Sequence, residues 1–166
     1  MSRGWAVVLL ALLLVVAYIG MWRGWQRRAA SQAELPPLPA ALPATDVLAG
    51  PVEAVYVGTT SAGDWLDRIV AQTLGRRSSA SVTVTRAGVI VDRAPEPRLD
   101  ISVSALRAVR ADHAGAHRVS RTDQLLVLTW VHGDRLLETA VRPRHRADLE
   151  TIRAAVSRLI VNETAA

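Results

Sequence analysis

The sequence predicts a mainly β protein of the α+β class, with a helix at each end of the chain and about seven short strands between them. Three observations carry this expectation: an apolar run near the amino terminus, a proline-rich segment after it, and alternating apolar and polar residues further on. A length of 166 residues fits one domain of ordinary size with an appendage. We expect an amino-terminal anchor at 1–28, a linker at 29–51, a folded domain at 52–162 and a tail at 163–166.

The composition excludes several kinds of chemistry. All 20 basic residues are arginine, and the chain contains neither lysine nor cysteine. Without lysine there is no Schiff base and no Walker-type phosphate lysine. Without cysteine there is no disulfide, thiol nucleophile or thiolate-bound metal.

The first element is an apolar segment at 5–22, which has eighteen positions and no charge. As a helix it would measure about 27 Å, close to the roughly 30 Å thickness of a bilayer core. Trp5 at one end, and Trp22 and Trp25 at the other, would lie at the headgroup interface. The segment predicts a single transmembrane span in the cell membrane.

The arginines beside this segment predict its orientation. Arg3 precedes it, whereas Arg23, Arg27 and Arg28 follow it. Because positive residues favour the cytoplasmic side, we expect the amino terminus outside and the domain in the cytoplasm. Two alternatives stay open: a cleaved signal peptide whose apolar region is 7–16, and a helix buried in a protein core.

The linker at 29–51 contains five of the eight prolines of the chain. This composition predicts a semi-rigid polyproline-II spacer, with a role as a proline-rich ligand as the alternative.

Strands are predicted wherever apolar residues alternate between turn signals. His132, Gly133 and Asp134 are typical of a hairpin turn between the last two strands, and Asp112–Thr122 is predicted to be a loop. The predicted strands are Val52–Thr59, Ser81–Thr85, Val89–Val91, Leu99–Val103, Leu106–Arg110, Gln124–Val131 and Arg135–Val141.

Two helices are predicted within the domain from apolar residues at spacings of three and four. The first covers about eleven residues before Gly75, on the apolar stripe Trp65, Leu66, Ile69, Val70 and Leu74. The second follows Pro143 and would cover the open end of a small bent sheet. Its stripe is Leu149, Ile152, Val156, Leu159 and Ile160.

Candidate reactive groups have simpler explanations. His113 and His117 have the spacing of a two-histidine metal site, but the Ala-Gly-Ala between them favours a solvated loop. The run from Gly58 to Gly63 resembles a phosphate loop, yet no lysine follows it, so a helix-capping turn explains it. The sequence therefore predicts no catalytic, cofactor-binding or metal-binding residue.

The charge distribution argues against nucleic acid as a partner. Residues 29–166 hold 16 arginines and all 15 acidic residues, a net charge of only +1. Four of the five positive charges flank the apolar segment. Within the domain, Arg68, Arg76 and Arg77 are candidates for contact with anionic lipid headgroups.

The order of seven strands and a final helix resembles the pleckstrin-homology-like fold. The whole chain resembles small actinobacterial single-pass membrane proteins with such a domain, often labelled as transporter or export proteins. The residues that carry the resemblance are ALLLVVAYIGMWRGW near the amino terminus, VYVGTTSAGDWLDRI at 55–69, TRAGVIVDR at 85–93 and RPRHRADLETIRAAV at 142–156. Phosphoinositide-binding members carry a basic cluster after the first strand, which this chain lacks, so the comparison argues against a phosphoinositide ligand.

These expectations combine into a non-enzymatic, membrane-anchored interaction module that binds a protein partner at the inner face of the membrane. A sheet edge or the groove beside the last helix would be the contact surface. The alternative is an accessory subunit of a membrane transport or export complex that acts through its transmembrane helix, where Gly20 and Gly24 are four residues apart.

Overall fold

The computed structural model describes the backbone at 3–33, 35–113 and 124–165, and the side chains at 8–23, 35–112 and 124–164. The chain divides into two compact units, Met1–Leu35 and Pro36–Ala166.

The first unit contains one helix, α1 (Arg3–Ala33). Its described side chains at 8–22 are apolar and exposed over several consecutive turns, as at Leu9 and Met21. The predicted span at 5–22 lies within this helix. In the described part of the chain, no helix is both long enough and apolar enough to cross a membrane.

The second unit contains eight strands, a short 3₁₀ turn and a final helix. One strand more than predicted is present, because β2 replaces a predicted helix, and β1 begins before the predicted first strand. In chain order the elements are β1 (Val47–Ser61), β2 (Asp64–Arg68), the 3₁₀ turn (Ala71–Thr73), β3 (Ser78–Thr85), β4 (Gly88–Ala94), β5 (Leu99–Ser102), β6 (Leu106–His113), β7 (Gln124–His132), β8 (Arg135–Pro143) and α2 (Arg146–Ala165).

All strand pairs are antiparallel, in the order β5-β4-β3-β1-β8-β7-β6, and β2 also pairs with β1. Strand β1 changes partner along its length: Val47–Tyr56 pair with β3, and Ala54–Ser61 pair with β8. The long strand β1 therefore connects the half of the sheet that contains β3 to the half that contains β8. At Gly88, the first residue of β4, an added Cβ would lie 2.1 Å from the carbonyl oxygen of Ile101, so β5 approaches too closely for any other residue.

The core lies between the sheet and α2, which contacts strands of both halves of the sheet. Four residues of the predicted stripe on α2, Leu149, Ile152, Val156 and Leu159, are buried, and the fifth is partly covered. The stripe therefore correctly predicted the face of α2 that packs on the sheet.

The seven predicted strands are all present, and the hairpin turn after His132 joins β7 to β8 as predicted. The predicted loop at 112–122 begins later than expected, because β6 continues to His113; residues 114–123 lie outside the described part of the chain.

The proline-rich segment contacts the domain. Helix α1 continues to Ala33 and β1 begins at Val47. The first residues of the predicted linker therefore belong to a helix, and its last residues belong to a strand. Residues 36–46, which we call the strap, are held by side chains of the domain: Asp100 accepts from the Leu42 amide at 2.6 Å, and Arg98 donates to the Leu42 carbonyl at 2.7 Å. Nε2 of His132 donates to the Pro36 carbonyl oxygen at 3.0 Å. The strap thus packs on the domain that it was expected only to tether.

Candidate protein-interaction site

Several connections of the sheet meet near the turn between β1 and β2. The Ala62 amide donates to the Leu136 carbonyl oxygen at 2.9 Å, which joins this turn to the β7–β8 hairpin. Arg76, in the connection between β2 and β3, lies 3.0 Å from Glu96 in the β4–β5 loop. These contacts join the β1–β2 turn to the β7–β8 hairpin, and the β2–β3 connection to the β4–β5 loop.

Strand β2 and the residues directly after it expose large apolar side chains. Trp65, Leu66 and Val70 are 71 %, 68 % and 67 % exposed, and we call these three residues the hairpin tip. Asp64 accepts from the Leu66 amide at 3.0 Å and so closes the turn. Adjacent exposed apolar side chains of this size mark candidate interaction surfaces in soluble domains.

The structure corrects the helix predicted at this point. Residues 64–68 form β2, and only the three-residue 3₁₀ turn follows. Ile69 and Leu74 of the predicted stripe are fully buried, whereas the hairpin tip is exposed. The interpretation of the stripe as one buried face was therefore wrong for three of its five residues.

Backbone hydrogen bonds explain why this segment is not helical. The Ile69 amide donates to the Thr59 carbonyl oxygen at 2.9 Å, and the Thr59 amide donates to the Leu74 carbonyl oxygen at 2.8 Å. Gln72 and Thr73 have positive φ angles of 53° and 59°, which an α-helix does not tolerate. Backbone amide and carbonyl groups that would bond to each other within a helix are therefore bonded to strand β1 instead.

A buried polar cluster supports the segment from inside the domain. The Tyr56 hydroxyl lies 2.8 Å from the Leu74 carbonyl oxygen and 2.6 Å from the Thr59 hydroxyl. The Thr59 hydroxyl lies 2.8 Å from that of Thr139, which accepts from Nε1 of Trp130 at 2.9 Å. Burial raises the pKa of Tyr56, although its bond to Thr59 and the charge of Arg93 partly oppose the rise. Tyr56 therefore holds its proton.

Arg93 supports the same region from β4. Its guanidinium lies over the Tyr56 ring, 4.7 Å from the centroid, and donates to the carbonyl oxygens of Pro97 at 2.8 Å and Thr73 at 3.2 Å. Burial lowers its pKa, an effect that Tyr56 and Glu96 partly offset. These contacts hold the β2–β3 connection and the β4–β5 loop together beneath the hairpin tip.

The three arginines predicted for headgroup contact lie close to the hairpin tip in sequence. Arg68 packs against Gly58 and donates to the Gly75 carbonyl oxygen at 3.2 Å. Arg76 forms the ion pair with Glu96, and Arg77 is exposed. The structure thus places all three on β2 or on the connection that follows it.

The residues predicted for the membrane interface lie on α1. Trp22 and Arg23 are exposed, and the Trp22 ring contacts that of Tyr18 edge-on at 6.1 Å. Trp5, Trp25, Arg27 and Arg28 belong to the same helix, and their side chains lie outside the described part of the chain.

The two histidines considered as metal ligands are not described at the level of side chains. His113 is the last residue of β6, with its side chain outside the described part of the chain, and His117 lies outside it altogether. Asp67 accepts from the Ser61 hydroxyl at 2.5 Å. Among the described residues, no three histidine or carboxylate side chains are grouped as metal ligands.

The main path of the sheet ends at two strands, β5 and β6, and either fits the sheet edge expected as a contact surface. Among the described strands, β5 pairs only with β4, and β7 is the only partner of β6. On β6, Arg110 makes a two-point ion pair with Glu138 at 2.6 and 3.1 Å.

The sequence analysis did not identify the hairpin tip as an exposed surface. A sequence signal for it is the pair Trp65-Leu66 directly after the turn residues Gly63-Asp64.

The domain is thus an antiparallel sheet with a packed carboxyl-terminal helix and an exposed apolar hairpin. Residues 32–157 match the family model described as Bacterial PH domain-like. The chain therefore belongs to the bacterial PH-like domain family, in agreement with the resemblance noted in its sequence. No curated protein matches the chain.

Proposed function

We propose that the chain is a non-enzymatic interaction module that binds a protein partner through the hairpin tip. The observation that supports this proposal is the exposure of Trp65 beside Leu66, in a domain whose other tryptophan, Trp130, is fully buried. Tryptophan is among the residues that contribute most binding free energy at protein interfaces.

The charges near the hairpin tip favour a protein over an anionic bilayer. The three nearby arginines are balanced by three carboxylates, those of Asp64, Asp67 and Glu96. A surface without net charge gains little from anionic lipid. Apolar anchors surrounded by charges of both signs fit a protein interface with an apolar centre and a polar rim.

The rigid support of the hairpin tip also favours binding. The segment that follows it is fixed by Tyr56, Thr59 and Arg93 through buried hydrogen bonds. A surface that is ordered before binding loses less conformational entropy when the partner arrives.

Crosslinking in living cells tests the proposed surface. A photoreactive benzoylphenylalanine replaces Leu66 in the full chain, and the same group replaces Val161 of α2 as a control, since Val161 is 66 % exposed. We expect one discrete protein adduct from position 66, lost when Trp65→Ala is added, and no such adduct from position 161. The same adducts from both positions, or none from position 66, would refute the proposal.

We further propose, from the sequence, that 5–22 attach the chain to the cell membrane with the domain in the cytoplasm. The described side chains of this segment are apolar and exposed, and a helix that is apolar all round requires apolar surroundings. Because the chain lacks cysteine, Ser104→Cys on the exposed domain surface gives a single reactive thiol. Resistance to alkaline carbonate extraction, with no labelling of intact cells by an impermeant maleimide, is expected; extraction or ready labelling would refute the assignment.

The alternative function is that of an accessory subunit that binds its complex through α1. An added Cβ at Gly20 would meet no atom within 4 Å, so this position leaves room for a close neighbouring helix. Replacing 5–22 by a leucine-alanine run of equal length separates the two functions. Retention of the adduct from position 66 supports the hairpin tip, and its loss supports the helix.

A further inference from the structure

The first residue of the strap, Pro36, is held by two side chains of the domain. Its carbonyl oxygen accepts from the side-chain amide of Gln72 and from Nε2 of His132, which lies 3.0 Å away. The proline ring lies against the β7–β8 turn, where a Cβ added at Gly133 would be 2.9 Å from the ring. Gln72 belongs to the 3₁₀ turn and is two residues from Val70 of the hairpin tip. This end of the strap therefore contacts the β2–β3 connection, directly after the hairpin tip.

The β2–β3 connection has a backbone conformation that its residue types do not favour. Gln72 and Thr73 have φ angles of 53° and 59°, in the left-handed region. Residues with a side chain seldom adopt this region, and a β-branched residue such as threonine is an outlier there. Such conformations persist only where the surrounding structure holds them. The contacts made by the connection therefore decide whether it keeps this shape.

The domain and the strap each hold one of these two residues. Arg93, a buried residue of β4, donates to the Thr73 carbonyl oxygen at 3.2 Å. The side chain of Gln72 instead donates to Pro36 of the strap. Undocking of the strap would remove this second bond and leave the left-handed backbone with less support. The connection should then relax, and the hairpin tip should lose its fixed position.

We propose that docking of the strap is a switch for the hairpin tip. With Pro36 docked, the β2–β3 connection is ordered and the hairpin tip binds its partner; with the strap released, the connection relaxes and binding weakens. This inference rests on the partner-binding function proposed for the hairpin tip and adds its regulation. Because the strap joins α1 to β1, a change at α1 reaches the hairpin tip through the strap.

Two variants that change only the strap separate its docking from its composition. In the release variant, Leu42→Pro removes the amide that donates to Asp100, and Pro36→Gly removes the ring that lies on the β7–β8 turn. In the control variant, Leu42→Ala keeps that amide, and Pro43→Gly replaces an exposed proline. Each variant replaces one leucine and one proline and leaves the hairpin tip unchanged.

Hydrogen exchange of the full chain in detergent micelles tests the coupling within the domain. Peptides that cover 69–75 should exchange about two- to tenfold faster in the release variant, as expected for the loss of one hydrogen bond. Peptides of α2 should exchange as in the parent chain, and the control variant should match the parent in both regions. Unchanged exchange at 69–75 in the release variant, or equal acceleration in the control variant, would overturn the proposal.

Crosslinking in living cells connects the switch to partner binding. With benzoylphenylalanine in place of Leu66, the release variant should give several times less adduct than the parent chain, and the control variant should give the parent's yield. Equal yields from the two variants would overturn the switch and leave the partner-binding function standing. Absence of the adduct from the parent chain itself would refute the partner-binding function, and the switch with it, so the two failures are distinguishable.

Discussion

The hydroxyl of Tyr56 donates a hydrogen bond to the carbonyl oxygen of Leu74, and this bond sets the direction of a buried chain of donors. Since the Tyr56 proton is used there, Thr59 must donate to Tyr56, and Thr139 must donate to Thr59. Trp130 then donates to Thr139. Every hydroxyl in the chain is both donor and acceptor, so the cluster is fully satisfied and fixes the connection below the hairpin tip.

Replacing Tyr56 by phenylalanine should break this chain at its end. The Leu74 carbonyl loses the tyrosine donor and the Thr59 hydroxyl loses its acceptor, both in a buried site. We expect the free energy of unfolding to fall by about 1–3 kcal/mol, measured by urea denaturation. Tyr18→Phe on α1, the only other tyrosine in the sequence, is the control. A Tyr56→Phe variant as stable as the control would contradict the assignment.

The raised pKa of Tyr56 predicts a loss of stability in alkali. Below the ordinary value of 10.0, both the folded and the unfolded chain hold the tyrosine proton, so its contribution is complete. As the pH rises above that value, the unfolded chain releases the proton while the folded chain retains it, and stability declines. Urea denaturation from about pH 9 to about pH 11 should show this decline, and Tyr56→Phe should make it shallower. An identical slope in the variant would show that another group is responsible.

The fold could be predicted from the sequence where local pattern and tertiary contact agree. The stripe on α2 and the alternation in β7 and β8 each describe one buried face, and the structure buries those faces. The spacing of Trp65 and Leu74 is equally helical, but bonds from Thr59 on another strand decide the conformation there. The contact between Arg93 and Tyr56 could not be predicted, because the two residues are distant in sequence and meet only through the pairing of β1, β3 and β4.

Replacing each of the two tryptophans of the domain by alanine should change the free energy of unfolding by very different amounts. Trp65 is 71 % exposed, so Trp65→Ala should change the free energy of unfolding by less than about 0.5 kcal/mol. Trp130 is fully buried and donates to Thr139, so Trp130→Ala should cost about 3–5 kcal/mol. Thermal and urea denaturation of the two variants measure the contrast. A large loss of stability in Trp65→Ala would contradict the exposed position of Trp65 and favour the buried helix that the sequence predicted.

Removal of the Asp100 carboxylate should release the strap. This buried carboxylate accepts from the Leu42 amide and from Nε of Arg98, each at 2.6 Å, and the same arginine donates to the Leu42 carbonyl oxygen. Its bond also raises the pKa of Arg98. Because bonds to a charged group contribute about 1.5–3 kcal/mol, Asp100→Ala should lower stability by a similar amount.

Limited proteolysis measures the release directly, because elastase cleaves after small residues such as Ala41 and Ala44 of the strap. Asp100→Ala should be cut there several times faster than the parent chain. Asp92→Ala provides the matched control, since Asp92 is exposed and lies 3.9 Å from the same arginine without contacting the strap. Equal rates in the two variants would mean that Asp100 does not hold the strap. A faster cut in Asp100→Ala alone assigns the docking of the proline-rich segment to this one carboxylate and its arginine.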